Sequence, residues 1–199
     1  MVHLTPPLDV GVPHLLVDHP SRTGEGPLWH EENQTLNWVD IPAGHLFRFD
    51  PATGQNELIY RHSGQLGGYT FQADGSLVLF GERGEILRLI GDETETIIPD
   101  IAAMRESRFN DVIADPEGRV FAGTMPTGDG HAHLYRLDPD GKLTLVFDDL
   151  TLGNGMGFSP DLSTFYLTDS NSRQIYQMAY HRKTGELGDR EVFLALTDD

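Results

Sequence analysis

Three polar residues stand in short motifs in which glycine, proline or aromatic residues are their neighbours. Glu25 lies in G-E-G-P, Asn110 in R-F-N-D and Asn154 in G-N-G-M-G-F-S. A carboxylate together with amide oxygens is a hard-oxygen ligand set, which suits Ca²⁺, Mg²⁺ or Mn²⁺ and is tolerated by Zn²⁺. Each residue taken alone is typical of a turn. A shared metal site therefore requires an architecture that brings all three residues to one place.

The chain repeats a pattern of short apolar strands separated by turn signals. Four sets of four strand candidates occupy residues 24–60, 67–98, 108–147 and 153–194. A period near 40–50 residues with four strands per unit is the signature of propeller blades. The sequence therefore predicts an all-β fold, a β-propeller of four-stranded blades that forms one domain over residues 1–199. A β-sandwich is the alternative, but its strands would not repeat so regularly.

Two segments and two aspartates have predicted structural roles. Residues 14–18 (HLLVD) are expected to be an N-terminal strand that closes the propeller. Residues 101–106 are expected to form a helical turn that connects the second and third blades. Asp40 and Asp169 occupy equivalent ends of second strands, which favours a structural role at the blade turn.

The first strand of each blade lies nearest the propeller axis, so its polar residues share one central cavity. Four residues take near-equivalent inner positions, 44, 41 and 44 residues apart: Glu25, Tyr69, Asn110 and Asn154. Recurrence at one register favours a common axial site over unrelated turns.

Composition excludes several classes of function. The 199 residues include 14 Lys and Arg against 31 Asp and Glu, a formal net charge of −17. We therefore expect no nucleic-acid partner, because phosphate contact needs a basic surface. No apolar stretch reaches the ~18 residues of a membrane span, so we expect no membrane partner. The first 13 residues do not read as a signal peptide and cysteine is absent, so a cytoplasmic location is expected.

His131 and His133 are two residues apart and could face one side of a strand. Two imidazoles in this arrangement can hold Zn²⁺, but the sequence offers no third ligand nearby. The prediction for these residues is a solvated hairpin. No G-x-S-x-G or Ser/His/Asp arrangement is present.

Several ordered motifs resemble the senescence-marker-protein/gluconolactonase (regucalcin-like) family of lactone hydrolases. They are G-E-G-P-x-W, R-F-N-D, D-P-x-G-R-x-F-A-G-T-M and G-N-G-x-x-F-S-P-D, and the resemblance runs from about residue 24 to residue 193. The resemblance implies a six-bladed propeller with one divalent metal ion at its axis. It also implies that Glu25 and Asn154 are metal ligands, and that Arg108 and Asn110 contact the substrate.

The resemblance further implies a metal-binding aspartate on the inner strand of a fifth blade, which is also the proposed general base. At the observed period this residue falls just beyond Asp199, so the catalytic residue is unassigned and about four of six blades are expected. We therefore expect this chain alone to be poorly stable or inactive. Some sugar lactonases of the family carry a substrate-contacting glutamate after G-T-M, where this chain reads P-T-G-D.

The sequence thus predicts a divalent-metal-dependent hydrolase that opens sugar lactones such as gluconolactone. The expected cofactor is one ion of Ca, Zn, Mg or Mn, and the expected partner is a small-molecule lactone. The first alternative is a non-catalytic metal-binding propeller that serves as a ligand- or protein-binding module. A related propeller esterase that acts on organophosphates is the second. The sequence leaves the metal, the lactone and the oligomeric state open.

Overall fold

A computed structural model describes residues 11–196. The first two sheets are formed by β1 (Gly24–His30), β2 (Thr35–Asp40), β3 (His45–Asp50) and β4 (Gln55–Arg61), and by β5 (Leu66–Phe71), β6 (Leu77–Gly81), β7 (Ile86–Ile90) and β8 (Glu93–Ile98). The other two are formed by β9 (Phe109–Ala114), β10 (Val120–Thr124), β11 (Ala132–Leu137) and β12 (Leu143–Leu150), and by β13 (Gly153–Phe158), β14 (Thr164–Asp169), β15 (Gln174–His181), β16 (Glu186–Leu187) and β17 (Glu191–Ala195).

Each sheet is an antiparallel blade whose strands follow chain order. The first three blades each have four strands, and in the fourth both β16 and β17 pair with β15. The predicted all-β propeller with four blades in this chain is confirmed, and each predicted set of strands corresponds to one sheet. The division of the whole chain into one domain stays a prediction.

Residues 11–21 form no strand in this structure, and the expected closing strand at residues 14–18 stays a prediction, because its expected partner blade is not among the four described blades. A strand needs a hydrogen-bonding neighbour, and none of the described strands pairs with this segment. Leu15 and Leu16 are exposed. The helical turn expected at residues 101–106 is present as a 3-10 helix over Ala102–Met104. None of the helices in residues 11–196 has the length and apolar character needed to cross a membrane.

The hydrophobic core is divided among the interfaces between neighbouring blades. Strand β6 shows why: all five of its residues are buried, since blades cover both of its faces. Alternation of side chains then sends Leu79 toward the first blade and Val78 and Phe80 toward the third. The first and fourth blades expose apolar residues on the faces away from these interfaces, including Trp29 and Phe193.

The inner strands approach one another closely near the axis. A Cβ atom added to Gly67 on β5 would lie 2.0 Å from the backbone oxygen of Phe109 on β9. Between the third and fourth blades, Gly123 on second strand β10 lies close to Gly153 on inner strand β13, and an added Cβ on Gly123 would lie 2.9 Å from Gly153 O. Only glycine fits at such contacts, because any side chain would separate the strands.

A buried ion pair fastens the third blade to the fourth. Asp115 follows β9, and its Oδ2 accepts hydrogen bonds from Arg119 Nε at 2.6 Å and from the Tyr180 hydroxyl at 2.7 Å. Arg119 also donates to the backbone oxygens of Arg182 and Lys183, which follow β15. The Asp115 side chain is completely buried. The D-P-E-G-R motif therefore has a structural role in the turn between β9 and β10, at the end of the blade opposite the start of its inner strand.

Replacing Asp115 with alanine should lower the free energy of unfolding by about 3–5 kcal/mol, because it leaves a buried guanidinium without its carboxylate. Chemical denaturation of the wild type and the variant measures the change. The exposed pair Arg48–Glu57 provides the control, and Glu57→Ala should cost less than about 1 kcal/mol. Equal costs for the two variants would contradict a special role for the buried pair.

Candidate axial metal and substrate site

The four inner strands begin at the same end of the propeller, and the predicted polar residues lie at these beginnings. Each inner strand starts opposite the end of the second strand of its blade, as the pairs Gly24–Asp40 and Gly153–Asp169 illustrate. The next residues along the chain are Glu25 and Asn154. The site is thus formed by residues one step into each inner strand.

Buried aspartates fix these strand starts. One carboxylate, that of Asp40, accepts hydrogen bonds from the backbone N–H groups of Arg22 and Thr23, at 3.2 and 3.0 Å. The Asp169 carboxylate does the same for Thr151 and Leu152, at 3.0 and 2.8 Å. The predicted structural role of both aspartates is confirmed by these bonds. Their consequence is functional, because they hold the segments that lead directly into Glu25 and Asn154.

One cavity of about 310 Å³ gathers the inner residues. Glu25, Asn110 and Asn154 all line it. The structure therefore brings together the two predicted metal ligands and one of the two predicted substrate contacts. Their roles toward a metal ion and a substrate remain predictions.

Tyr69 does not occupy the position that its spacing suggested. Leu66, Phe109 and Gly153 pair with the last residues of their second strands, so the next residues, Gly67, Asn110 and Asn154, are equivalent. The second blade thus contributes a glycine at this level. Tyr69 lies two residues further along its strand, at the level of Val112 and Met156, and lines a deeper, more apolar part of the cavity.

Arg108 connects this cavity with the space beside it. Its Nη1 donates to the backbone oxygen of Phe109 at 2.8 Å and to Asn110 Oδ1 at 2.9 Å. Asn110 in turn donates through Nδ2 to the Gly153 backbone oxygen, at 3.2 Å. Partial burial lowers the pKa of the Arg108 guanidinium, while the nearby Glu25 carboxylate acts in the opposite direction. The predicted substrate contacts therefore form one connected pair.

Asn154 is held in a specific orientation by its neighbours. Its Nδ2 donates to Ser170 Oγ at 3.2 Å, and its Oδ1 accepts from the Gly155 backbone N–H at 3.1 Å. Gly155 has a φ of 41°, and Gly26, which follows Glu25, has a φ of 58°. A left-handed residue directly after each predicted ligand explains why glycine flanks both of them.

Asp111 is a site residue that the sequence reasoning did not identify, although it forms part of R-F-N-D. Its carboxylate lines the cavity and accepts a hydrogen bond from the Val112 N–H at 2.9 Å. The backbone N–H groups of Gly155 and Met156 also act on it. Burial raises the pKa of Asp111 despite these hydrogen bonds, and the Glu25 charge raises it further. The sequence signal that could have identified Asp111 is its position directly after Asn110 on an inner strand.

These residues fit a hard divalent cation. Two carboxylates, those of Glu25 and Asp111, act on each other in one cavity, and a cation there would offset their mutual repulsion. The amide oxygens of Asn110 and Asn154 are also hard ligands. Within residues 11–196, no group of three His, Cys, Asp or Glu side chains is arranged to hold a metal ion. The ligand set available here is therefore a mixture of carboxylate and amide groups.

The histidine pair is not a metal site in this structure, and it is only half solvated. His131 is exposed, but His133 is buried. His133 Nδ1 lies 3.2 Å from the Tyr135 hydroxyl, and His133 Nε2 lies 3.4 Å from Asp129 Oδ2. Asp129 also accepts from the Thr127 hydroxyl. The predicted solvated hairpin is therefore wrong for His133, because these partners satisfy its ring inside the blade.

The chain is similar to known proteins in both sequence and structure. Residues 23–199 match the family described as the SMP-30/Gluconolactonase/LRE-like region. The chain belongs to this family. Pentonolactonase XacC of Haloferax volcanii is 45% identical over 181 residues, which cover 90% of this chain and 60% of that protein.

Two solved structures share the fold. A gluconolactonase from Xanthomonas campestris has 27% identity and a TM-score of 0.74, and the match covers 88% of this chain and 63% of that one. A calcium-binding regucalcin from Agrobacterium tumefaciens has 24% identity and a TM-score of 0.80, covering 89% of this chain and 61% of that one. The chain therefore spans about 60% of the length of such SMP-30/gluconolactonase-like relatives. The predicted aspartate of a fifth blade falls just beyond Asp199, and residues 197–199 lie outside the described residues.

Asp169→Ala should lower the free energy of unfolding by about 2–4 kcal/mol, because it leaves two partly buried backbone N–H groups without an acceptor. Asp189→Ala, on the exposed surface of the same blade, should change it by less than about 0.5 kcal/mol. Denaturant titration measures both values. If Asp169→Ala costs no more than Asp189→Ala, the aspartate does not hold the start of the inner strand.

Proposed function

We propose that this chain carries the axial site of a divalent-metal-dependent sugar lactonase. The observation that supports this proposal is the convergence of Glu25, Asn110, Asp111 and Asn154 on one cavity, with Arg108 hydrogen-bonded to Asn110. Names of relatives agree with it, since they include a pentonolactonase and a gluconolactonase. The cytoplasmic location remains a prediction.

The proposed reaction is hydrolysis of a cyclic ester. Water attacks the lactone carbonyl carbon, the bond between this carbon and the ring oxygen breaks, and the ring oxygen takes up a proton. The product is a hydroxy acid, so no oxidant or second substrate is required. The barrier is lowered by whatever stabilises the negative charge that develops on the carbonyl oxygen.

Glu25 and Asn154 would hold the divalent cation, with Asp111 close behind them. Such an ion supplies Lewis-acid polarisation of the carbonyl and stabilises the developing oxyanion. Asp111 is a positioning residue in this account, because its carboxylate accepts backbone N–H groups from the turn that presents Asn154. It joins the third blade to the fourth beside Asn154.

Arg108 and Asn110 would bind and orient the sugar. Nη1 of Arg108 donates hydrogen bonds to neighbouring acceptors. The other guanidinium N–H groups of Arg108 would donate to sugar hydroxyls or to the carboxylate that forms in the product. The hydrogen bond to Asn110 fixes the plane of the guanidinium. Because an arginine binds planar carboxylates bidentately, Arg108→Lys would not preserve this contact.

A binding module is the second candidate. The observation that favours it concerns both carboxylates that line the cavity: Asp111 is hydrogen-bonded to backbone N–H groups and Glu25 is a predicted metal ligand, so neither is assigned to accept a proton from water. On this account the cavity would bind a metal ion and a sugar without turnover. The cation and the sugar contacts would be the same, so only a rate measurement separates the two functions.

Hydrolysis of aldonolactones by the full-length protein that contains this chain tests the proposal. We expect turnover that a chelator abolishes and a divalent ion restores, and a loss of about 100-fold or more in kcat/KM for Asn154→Ala, because the ion loses an oxygen ligand. The control is Asn171→Ala, an exposed amide on the same blade, with activity unchanged. Metal binding without chelator-sensitive turnover would contradict the lactonase and favour the binding module.

A further inference from the structure

A second pocket of about 530 Å³ opens beside the axial cavity. We call it the arginine pocket and define it by six of its lining residues: Gln65, Glu82, Arg83, Arg105, Arg108 and Met125. It lies at the junction between the second and third blades. Neither the family motifs nor the proposed function uses Arg83 or Arg105.

The arginine pocket lies at the same end of the propeller as the axial site. Glu82 directly follows β6, whose last residue pairs with the first residue of inner strand β5. Arg108 directly precedes inner strand β9 and forms a β-bridge with Glu82. Arg108 belongs to both sites, because it lines the arginine pocket while its guanidinium donates to Asn110 in the axial cavity.

The pocket gathers three arginines to which the structure gives no carboxylate ion pair within residues 11–196, as it gives none to Arg22 and Arg61 elsewhere in that range. Six arginines form ion pairs with carboxylates: Arg48, Arg88, Arg119, Arg136, Arg182 and Arg190. The structure gives no such pair to Arg83, Arg105 or Arg108 among residues 11–196, although the whole chain carries a net charge of −17. Three guanidinium groups without carboxylate partners therefore share one pocket.

The two carboxylates of the pocket do not neutralise these arginines. Glu82 accepts the backbone N–H of Gln65 at 3.0 Å, which binds it to the wall. Glu106 is exposed, as are Arg83 and Arg105. Neither glutamate makes an ion pair within residues 11–196, so cationic groups outnumber anionic ones in the pocket. Such a pocket attracts an anion and can hold it with charge-assisted hydrogen bonds.

The backbone that carries Arg83 is held firmly in an uncommon conformation. Arg83 has a φ of 61°, a left-handed value that a residue with a side chain rarely adopts. Its N–H donates to Ser107 O at 2.7 Å, and its own oxygen accepts from Ile101 N–H at 2.9 Å. These bonds join the β6–β7 hairpin to the segment that carries Arg105. Similar φ values occur at Gln34, Leu162 and Arg173 in the other hairpins, so the conformation belongs to the turns of the blades, and its consequence here is a fixed position for the Arg83 backbone.

We propose that the arginine pocket binds an anionic group at the end of a sugar lactone remote from the lactone carbonyl. The group is a phosphate, a sulfonate or a carboxylate, and Arg108 lies between it and the ring in the axial cavity. This inference rests on the proposed lactonase function and deepens it by naming the substrate class. Arg83 and Arg105 then determine specificity and take no part in the ring opening.

Paired substrates test the proposal in the full-length protein. Glucono-1,5-lactone is neutral, whereas 6-phosphoglucono-1,5-lactone carries a phosphate at the remote carbon, and a glucaric acid lactone carries a carboxylate there. We expect the double variant Arg83→Gln/Arg105→Gln to lower kcat/KM for the preferred anionic lactone by about tenfold or more, because charge-assisted hydrogen bonds are lost. The neutral lactone should change by less than about twofold, since the axial residues are intact.

The matched control is Arg61→Gln. Arg61 ends β4, which places it at the same end of the propeller, but it lies outside the arginine pocket. Arg61→Gln removes one positive charge, half of the change in the double variant, so it measures the general electrostatic effect of each lost charge, which should be small at physiological salt. An equal loss for anionic and neutral lactones in the double variant would overturn the proposal, as would an equal loss in Arg61→Gln.

Calorimetric binding separates this proposal from the lactonase activity. Gluconate and 6-phosphogluconate are titrated into the wild type and the double variant, with no turnover needed. Tighter binding of the phosphorylated acid to the wild type, lost in the double variant, supports the arginine pocket even if no lactone is hydrolysed. Equal affinity of the wild type for the two acids, together with an equal effect of the double variant on the neutral and both anionic lactones, overturns it even if lactones are hydrolysed.

Discussion

Carboxylates at the ends of the second strands hold the starts of the inner strands, and the axial site depends on this contact. Asp40 and Asp169 accept backbone N–H groups just before Glu25 and Asn154. Glu82 makes a similar bond to the N–H of Gln65, before the inner strand of the second blade. A buried charge that satisfies otherwise unpaired N–H groups fixes the backbone of a strand that has no neighbour on its axial side.

The axial cavity is shaped by irregular pairing rather than by regular strands. Each inner strand shifts its register against the second strand near its start, for example between Asn154 and Met156 and on either side of Gly67. Such bulges redirect side chains and are common beside functional sites. They place Glu25, Asn110 and Asn154 on the cavity, while Gly67 leaves the second blade without a side chain at this level. The arginine pocket opens beside the second blade.

The repeat in the sequence was sufficient to predict the four blades and the convergence of Glu25, Asn110 and Asn154. Spacing alone failed for Tyr69, because a bulge changes the level of a residue without changing the length of the repeat. The pattern of residues 14–18 favours a strand, but whether it forms one depends on a neighbouring strand that no local pattern specifies. Asp111 was missed because its contacts, the N–H groups of Gly155 and Met156, belong to another blade. Burial of His133 likewise follows from tertiary packing.

The central claim is that residues from separate blades form one cation site at the axis. Anomalous diffraction from crystals of the full-length protein grown with Mn²⁺ tests it most directly, since Mn²⁺ is among the ions that these ligands suit. We expect one strong anomalous peak between the side-chain oxygens of Glu25 and Asn154, at metal–oxygen distances of about 2.0–2.4 Å. A saturated crystal with no peak there, or with its strongest peak at another group of residues, would contradict it.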